Sequence, residues 1–288
     1  MESPDVSLII AVRNGARWID RCIRSLLALQ YPRERIEILC VDNGSSDRTL
    51  DILRGFRPVI RILHESRRGP GAARNCGARA ASAPLIAFTD CDCIVDPLWL
   101  SNLLKPLRSG THAAVGGKIL ARQGAGSVEL FGELVHDHAN AIQFYRPPYL
   151  IGMNMAVRKD LFSRIGMFDE SWTRLEDVDL AFRILKSGEN ITYCPQAVVH
   201  HHNRDTLAKL AREGFLHGYY RPSFLRQHRA FIDSYCNKPN LPAPVLRDET
   251  LQAELILRPW QIGLYWKIFK CGKHAGELVG RRFPPAGR

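Results

Sequence analysis

The sequence predicts an α/β fold built on a Rossmann-like, mostly parallel central sheet flanked by helices, and three observations carry that expectation. Short, almost continuous apolar runs rich in β-branched residues recur at 6–12, 36–41, 59–63 and 85–89, as strands buried on both faces require. Between them lie segments of helical apolar spacing or small-residue composition. The runs alternate with these segments as β-α-β-α-β-α-β, an order that demands right-handed crossovers and parallel pairing.

The elements follow in turn. Asn14-Gly15 ends the first strand, after which Ile19, Cys22, Ile23, Leu26 and Leu27 fall at i, i+3, i+4, i+7 and i+8, one face of a helix that stops before Tyr31-Pro32. The second strand runs into Asp42-Asn43-Gly44-Ser45-Ser46-Asp47, a turn able to cap a helix through Leu53. Residues 71–81 form a small-residue helix, and the fourth strand leads directly into Asp90-Cys91-Asp92. Beyond Pro97 the alternation loosens into a helix at 98–107 and a strand at 113–120, and residues 110–150 read as an insertion that shapes a second site. Helices at 159–165 and 177–186 and strand-like pieces at 191–194 and 197–199 restore the regularity. Pro239, Pro242 and Pro244 mark a linker before a final basic segment.

Composition bounds the function. The 288 residues are 45% apolar and carry 40 Lys and Arg against 29 Asp and Glu, a net charge of +11, which excludes wholesale disorder, collagen and coiled coil. From Asn203 onward lie 15 of the basic and 7 of the acidic residues, so most of the excess charge belongs to the C-terminal third. Eight cysteines are dispersed through a long chain with no secretory segment after Met1, which favours a reducing cytosol over a disulfide framework. No apolar stretch reaches the ~20 residues of a membrane-spanning helix. Between Trp260 and Lys273 a helical projection puts Leu264, Tyr265, Ile268 and Phe269 on one face and Lys267, Lys270 and Lys273 on the other. Such a helix suits either an anionic membrane surface or ordinary packing on the domain. Nucleic acid is the competing explanation of the charge, but no helix-turn-helix, zinc-finger or RNA-binding signature accompanies it.

Ligands of open parallel sheets bind beyond the carboxyl ends of the strands, where this chain places Arg13-Asn14, the 42–47 turn and Asp90-Cys91-Asp92. Two carboxylates at i and i+2 can share one hard cation and hold a sugar hydroxyl, although alone they more often describe a solvated turn. Cys91 and Cys93 alternate with the aspartates and read as packing groups rather than thiolate ligands. Glu176, Asp177 and Asp179 suit a helix N-terminus, with Asp179 and Arg183 spaced to pair at i, i+4.

Taken in order, 6–14 (VSLIIAVRN), 41–47 (VDNGSSD), 69–75 (GPGAARN), 88–92 (FTDCD), 152–155 (GMNM), 165–169 (IGMFD), 176–180 (EDVDL) with Arg183, and His200-His201-His202 resemble glycosyltransferase family 2 over about residues 5 to 220. That resemblance implies a GT-A fold and an inverting enzyme that moves a sugar from a nucleotide-diphosphate sugar, UDP-sugar foremost, to a saccharide or lipid-linked acceptor. It further implies that Asp42, the backbone from Ala11 to Arg13, and Arg74 hold the nucleotide, with Asp90 at the ribose or donor sugar. Asp92 would ligate Mn²⁺ or Mg²⁺ at the diphosphate. His201 fits a metal or diphosphate contact by register, with His200 and His202 as the alternatives. The pair Glu176-Asp177 would be catalytic, Asp177 as the general base, and Gly152 and Asn154 would line the donor and acceptor cleft. Two positions depart from the family pattern: Asn43 replaces a second acidic residue, and Arg67 replaces an Asn.

The implied organisation is a glycosyltransferase domain over 1–220 and a basic, mainly helical extension over 221–288, in a cytoplasmic protein peripheral at the inner membrane face. A catalytically degenerate domain that binds sugar nucleotide without turnover is the alternative. A dehydrogenase is disfavoured because Arg13-Asn14-Gly15 replaces a Gly-x-Gly-x-x-Gly fingerprint after the first strand, and a nucleotidyltransferase because that position also lacks a lysine-bearing glycine loop.

Overall fold

A computed structural model describes residues 3–239, 241, 243 and 250–285. Its elements are β1 (Val6–Val12), α1 (Ile19–Leu27), β2 (Ile36–Asp42), α2 (Thr49–Arg54), β3 (Arg61–His64), α3 (Pro70–Ala80), β4 (Leu85–Asp90), β5 (Cys93–Val95) and α4 (Trp99–Arg108). There follow β6 (Ala114–Ala121), α5 (Ser127–Val135), β7 (Asn154–Arg158), α6 (Lys159–Arg164), α7 (Glu176–Lys186), β8 (Ile191–His201), α8 (Leu207–Cys236), α9 (Gln252–Ile256) and α10 (Pro259–Arg282). Eight strands form one sheet in the order β3-β2-β1-β4-β7-β6-β8-β5. Pairing is parallel from β3 through β4, and antiparallel where β7 joins β4, β6 joins β7 and β5 joins β8.

The parallel half follows the apolar runs closely. Leu8, Ile9 and Ile10 of β1 are completely buried between β2 and β4. Small residues let α3 lie close on this sheet: a Cβ at Gly77 would stand 2.6 Å from a methyl of Ile9. Differences begin further along. The third strand starts at Arg61 rather than 59, because the chain is still turning there and Val59 is exposed. The two strand-like pieces near 191–199 are a single strand that continues through His200 and His201, carrying them into register with Ile94 and Cys93 of β5. The proline linker lies mainly outside the described residues, Pro242 and Pro244 among them.

The chain divides into two compact units, one of residues 1–119 with 149–201, the other of 120–148 with 202–288. The first contains every candidate site residue named above except His202. The second is organised around Phe131, Leu210, Leu257, Tyr265 and Phe269, so the aromatic face of α10 is spent on packing. Buried carboxylates tie this unit together. Glu133 accepts the backbone N–H of Ala121 at 2.7 Å and of Ala253 at 3.0 Å. Glu129 pairs with Arg122 at 2.8 Å and with His202. Burial alone would raise the Glu213 carboxyl, yet His136, with Arg204 and His217, holds it well below the usual carboxylate range.

The helices α8 and α10 run parallel and approach through glycine. A Cβ at Gly272, Gly276 or Gly280 would overlap the backbone carbonyl of Ala211, Phe215 or Tyr219, and one at Gly214 or Gly218 would overlap that of Phe269 or Lys273. The rising order of both sets of numbers fixes the parallel sense, and the absence of side chains permits backbone-to-backbone contact.

Candidate active site

The strand register gathers the predicted nucleotide residues at one edge of the sheet. Ala11 stands opposite Val41 on one side and Asp90 on the other, and Val12 stands opposite Asp42. The end of β1 is therefore flanked by two carboxylates, and Arg13 follows it, exposed. Asp42 is almost fully buried and accepts the N–H groups of Gly44 and Ser45 at 3.3 Å, while the exposed His64 lies 3.8 Å away. Asn14, at φ +53°, accepts the Ser46 N–H at 2.8 Å through its side chain and so locks the β1 and β2 loops together.

Asn43, the departure from a second acid, has a local reason. Its amide donates to the carbonyls of Glu65 at 2.9 Å and Arg67 at 2.7 Å and accepts the Gly69 N–H at 2.9 Å. A carboxylate could accept but not donate, so an aspartate here would release the 65–69 loop that leads into α3.

Of the two residues expected to meet a metal, Asp92 follows β4 and His201 closes β8, with His201 Nε2 3.6 Å from Asp92 Oδ1. His201 is buried, whereas His200 turns to Asp96 at 2.9 Å and His202 pairs with Glu129. Among the described residues no group of three or more His, Cys, Asp or Glu side chains gathers as a complete metal cage. One carboxylate and one imidazole suit an ion that draws its remaining ligands from phosphate oxygens and water. Cys93 is buried and Cys91 nearly so, and burial raises both thiols, which keeps them protonated and poor ligands.

Arg74 occupies the centre. Only 4% exposed, it projects from α3 and donates from one terminal nitrogen to Asp90 Oδ1 and from the other to Glu176 Oε1, both at 2.8 Å. Its guanidinium carbon lies 5.5 Å from the centre of the Phe168 ring, and a Cβ at Gly152 would come within 3.0 Å of it. Although burial opposes its charge, the carboxylates of Asp90 and Glu176 push the Arg74 pKa further up. Burial first, and Asp177 second, raise the Glu176 carboxyl to about 7 against the opposing pull of Arg74.

Asp177 sits in the first turn of α7 and accepts the Gly152 N–H at 2.9 Å and the Val178 N–H at 2.9 Å. The residue before the helix, Leu175, has φ +68°, a left-handed conformation that leucine rarely adopts. Asn154 has a different setting. It is completely buried, accepting from Trp99 Nε1 at 2.8 Å and donating to the carbonyls of Lys118 and Ala197 at 2.8 and 2.9 Å, so its side chain pins β6, β7 and β8. The pair Asp179–Arg183 forms at 2.7 Å, and Arg183 also donates to the Ile165 carbonyl. Asn75 clasps the backbone of Phe168 from both sides, at 2.8 and 3.0 Å, a role the sequence offered no sign of beyond its place on the buried face of α3.

The architecture is the GT-A glycosyltransferase fold. A mannosyltransferase from Pyrobaculum calidifontis, solved with GDP-mannose and Mn²⁺, matches 98% of this chain and 79% of its own with a TM-score of 0.61 at 23% identity. The TarS 1–349 structure from S. aureus matches 96% of this chain and 91% of its own with a TM-score of 0.56 at 14% identity. Within that class the chain belongs to glycosyl transferase family 2, whose sequence pattern matches residues 7–166, more than half its length. Among curated relatives, the pre-mycofactocin glycosyltransferase of Mycobacterium tuberculosis is 31% identical over 77% of this chain and 48% of its own. The glycosyltransferase AglE of Haloferax volcanii is 27% identical over 68% and 66%. The match thus spans about half the length of the first of these relatives and just under two thirds of the second.

Proposed function

We propose that this chain transfers a sugar, with inversion, from a nucleotide-diphosphate sugar to a hydroxyl of a saccharide or lipid-linked acceptor, residues 1–220 acting as the catalytic domain and 221–288 as its basic helical extension. The observation that carries the reading is the bridge from donor side to acceptor side, in which Arg74 bonds both Asp90 and Glu176 while His201 stands 3.6 Å from Asp92. Family membership and the likeness to a fold that holds GDP-mannose support it.

In this reading the nucleobase lies against Asp42 and the backbone from Ala11 to Arg13, where a carboxylate accepts an imide N–H. Uracil offers an imide N–H at N3 and guanine a lactam N–H at N1 that could serve the same carboxylate, and a UDP-sugar is the proposed donor. Asp90 takes a ribose or donor-sugar hydroxyl. Asp92 and His201 would hold Mn²⁺ or Mg²⁺, which supplies positive charge to the leaving diphosphate. Asp177 accepts the proton of the attacking hydroxyl, and its place on the other side of the Arg74 bridge from Asp90 suits in-line attack on the anomeric carbon. Gly152 fixes that carboxylate through its N–H.

The extension is proposed to meet an anionic membrane surface. Along α10, Trp260, Leu264 and Leu278 are exposed beside Lys267, Lys270, Arg281 and Arg282, and α9 adds Leu255 and Ile256, 74% and 60% exposed. No helix among the described residues is long and apolar enough to cross a membrane. Sedimentation with phosphatidylglycerol vesicles but not phosphatidylcholine vesicles at low salt is the expected result, and equal recovery from both removes this part of the reading.

The transferase reading is tested by calorimetric titration of UDP, GDP and dTDP with and without Mn²⁺. One nucleotide should bind in a metal-dependent manner, and Asp92→Ala should abolish the metal dependence. Absence of binding by all three would leave a degenerate domain as the better account.

A further inference from the structure

Arg74 is the only cation bonded to both carboxylates Asp90 and Glu176 among the described residues, and the bridge ties together three separate elements: its own helix α3, the end of β4, and the first residue of α7. Both terminal nitrogens are committed, and its Nε is buried without a hydrogen-bond partner. A buried guanidinium optimised for stability alone would have its remaining donor satisfied, because an orphaned buried donor is destabilising. This one is instead stretched as a fork between two acceptors. Gly152 presses on the same guanidinium from another side, where a Cβ would come within 3.0 Å, and donates its N–H to Asp177. One side chain and one glycine therefore touch Asp90, Glu176 and Asp177.

The turn that carries the proposed base needs such support. Leu175 is left-handed immediately before Glu176, and a strained residue persists only where its surroundings hold it. Among the described residues, the long-range hydrogen bonds that residues 175–178 make are the one from Arg74 to Glu176 and the one from Gly152 to Asp177.

Building on the transferase reading, we propose that Arg74 is a positioning residue for the acceptor base, not a contact to the nucleobase: it couples occupancy at Asp90 to the placement of Asp177 through Glu176 and Gly152. By linkage, a ligand that orders Asp90 then tightens the 175–178 turn, and loss of the strut severs that effect without removing the donor site.

Amide hydrogen exchange of peptides covering Gly152 and 175–178 tests this on the full chain, with UDP or GDP and Mn²⁺ as the probe. In the wild-type protein nucleotide with Mn²⁺ should slow exchange in both peptides. Arg74→Lys keeps the charge but cannot fork to two acceptors. In that variant both peptides should exchange about tenfold faster and no longer respond to nucleotide, while the nucleotide Kd stays within about threefold. Glu176→Ala, which leaves Arg74 its bond to Asp90, should give the same loosening from the other end and guards against a folding defect in the lysine variant. In steady-state donor turnover the same variants should lower kcat and spare the donor KM. Wild-type exchange in both variants overturns the proposal, as does a tenfold or greater rise in nucleotide Kd with unchanged exchange, about the loss of one bidentate contact. If the wild-type protein binds no nucleotide, the transferase reading fails by itself, and unresponsive but variant-sensitive peptides then overturn only the coupling to Asp90.

Discussion

Asp177→Asn is expected to leave metal-dependent nucleotide binding intact and to lower donor turnover by about 10²–10⁴-fold, the usual contribution of a positioned general base. The substitution is nearly isosteric. The amide oxygen of asparagine still accepts the Gly152 N–H, now made at 2.9 Å, so the turn keeps its long-range anchor, and what is lost is the basicity together with the local bond from the adjacent Val178 N–H to the other oxygen. Glu176 is a poor replacement because its Oε1 is bonded to Arg74 and its carboxyl is buried. Release of nucleoside diphosphate, with water as the acceptor always present, measures the rate, and calorimetry measures binding in the same samples. A wild-type rate in Asp177→Asn would remove Asp177 as the base, while a parallel loss of binding would make it part of the donor site.

The parallel half of the sheet was legible because each buried strand is a continuous apolar run and each ends on a turn or an aspartate. Register did the rest: once β1 lies between β2 and β4, Asp42 and Asp90 must flank its end. The antiparallel half was harder to read. Residues 191–201 form one strand, yet Pro195 and Gln196 interrupt its apolar pattern, and pairing with β5 rather than local preference carries it through the histidines. Asn154 illustrates a second limit. Its motif neighbourhood suggested a cleft, but a buried asparagine with three partners from α4, β6 and β8 answers to contacts that are remote in sequence. Asn43 shows the reverse, since what looked like a lost acid is explained by donors that only an amide possesses. The Arg74 bridge spans 102 residues to Glu176, and no local spacing encodes it.

The glycines of α10 give the second large effect, and here two principles predict opposite signs. Helix propensity makes Gly→Ala in a helix interior stabilising by about 1 kcal/mol. At Gly263, where nothing lies within 4 Å of the new methyl, that gain should appear in full. At Gly276 the same methyl would overlap the carbonyl of Phe215 on α8. A flexible side chain could swing aside, but a carbonyl held in a helix moves only if the two helices separate along their whole contact. Separation would also strain the contacts at Gly272 and Gly280, which face Ala211 and Tyr219 in the same manner. Gly276→Ala is therefore expected to destabilise the unit by about 1–3 kcal/mol net of its propensity gain. Urea unfolding followed by circular dichroism at 222 nm, where helices dominate the signal, compares the two variants directly. Stabilisation by both would mean that α8 and α10 tolerate a wider spacing, while opposite signs would establish that the absence of a methyl at Gly276, rather than backbone flexibility, is what the helix pair requires.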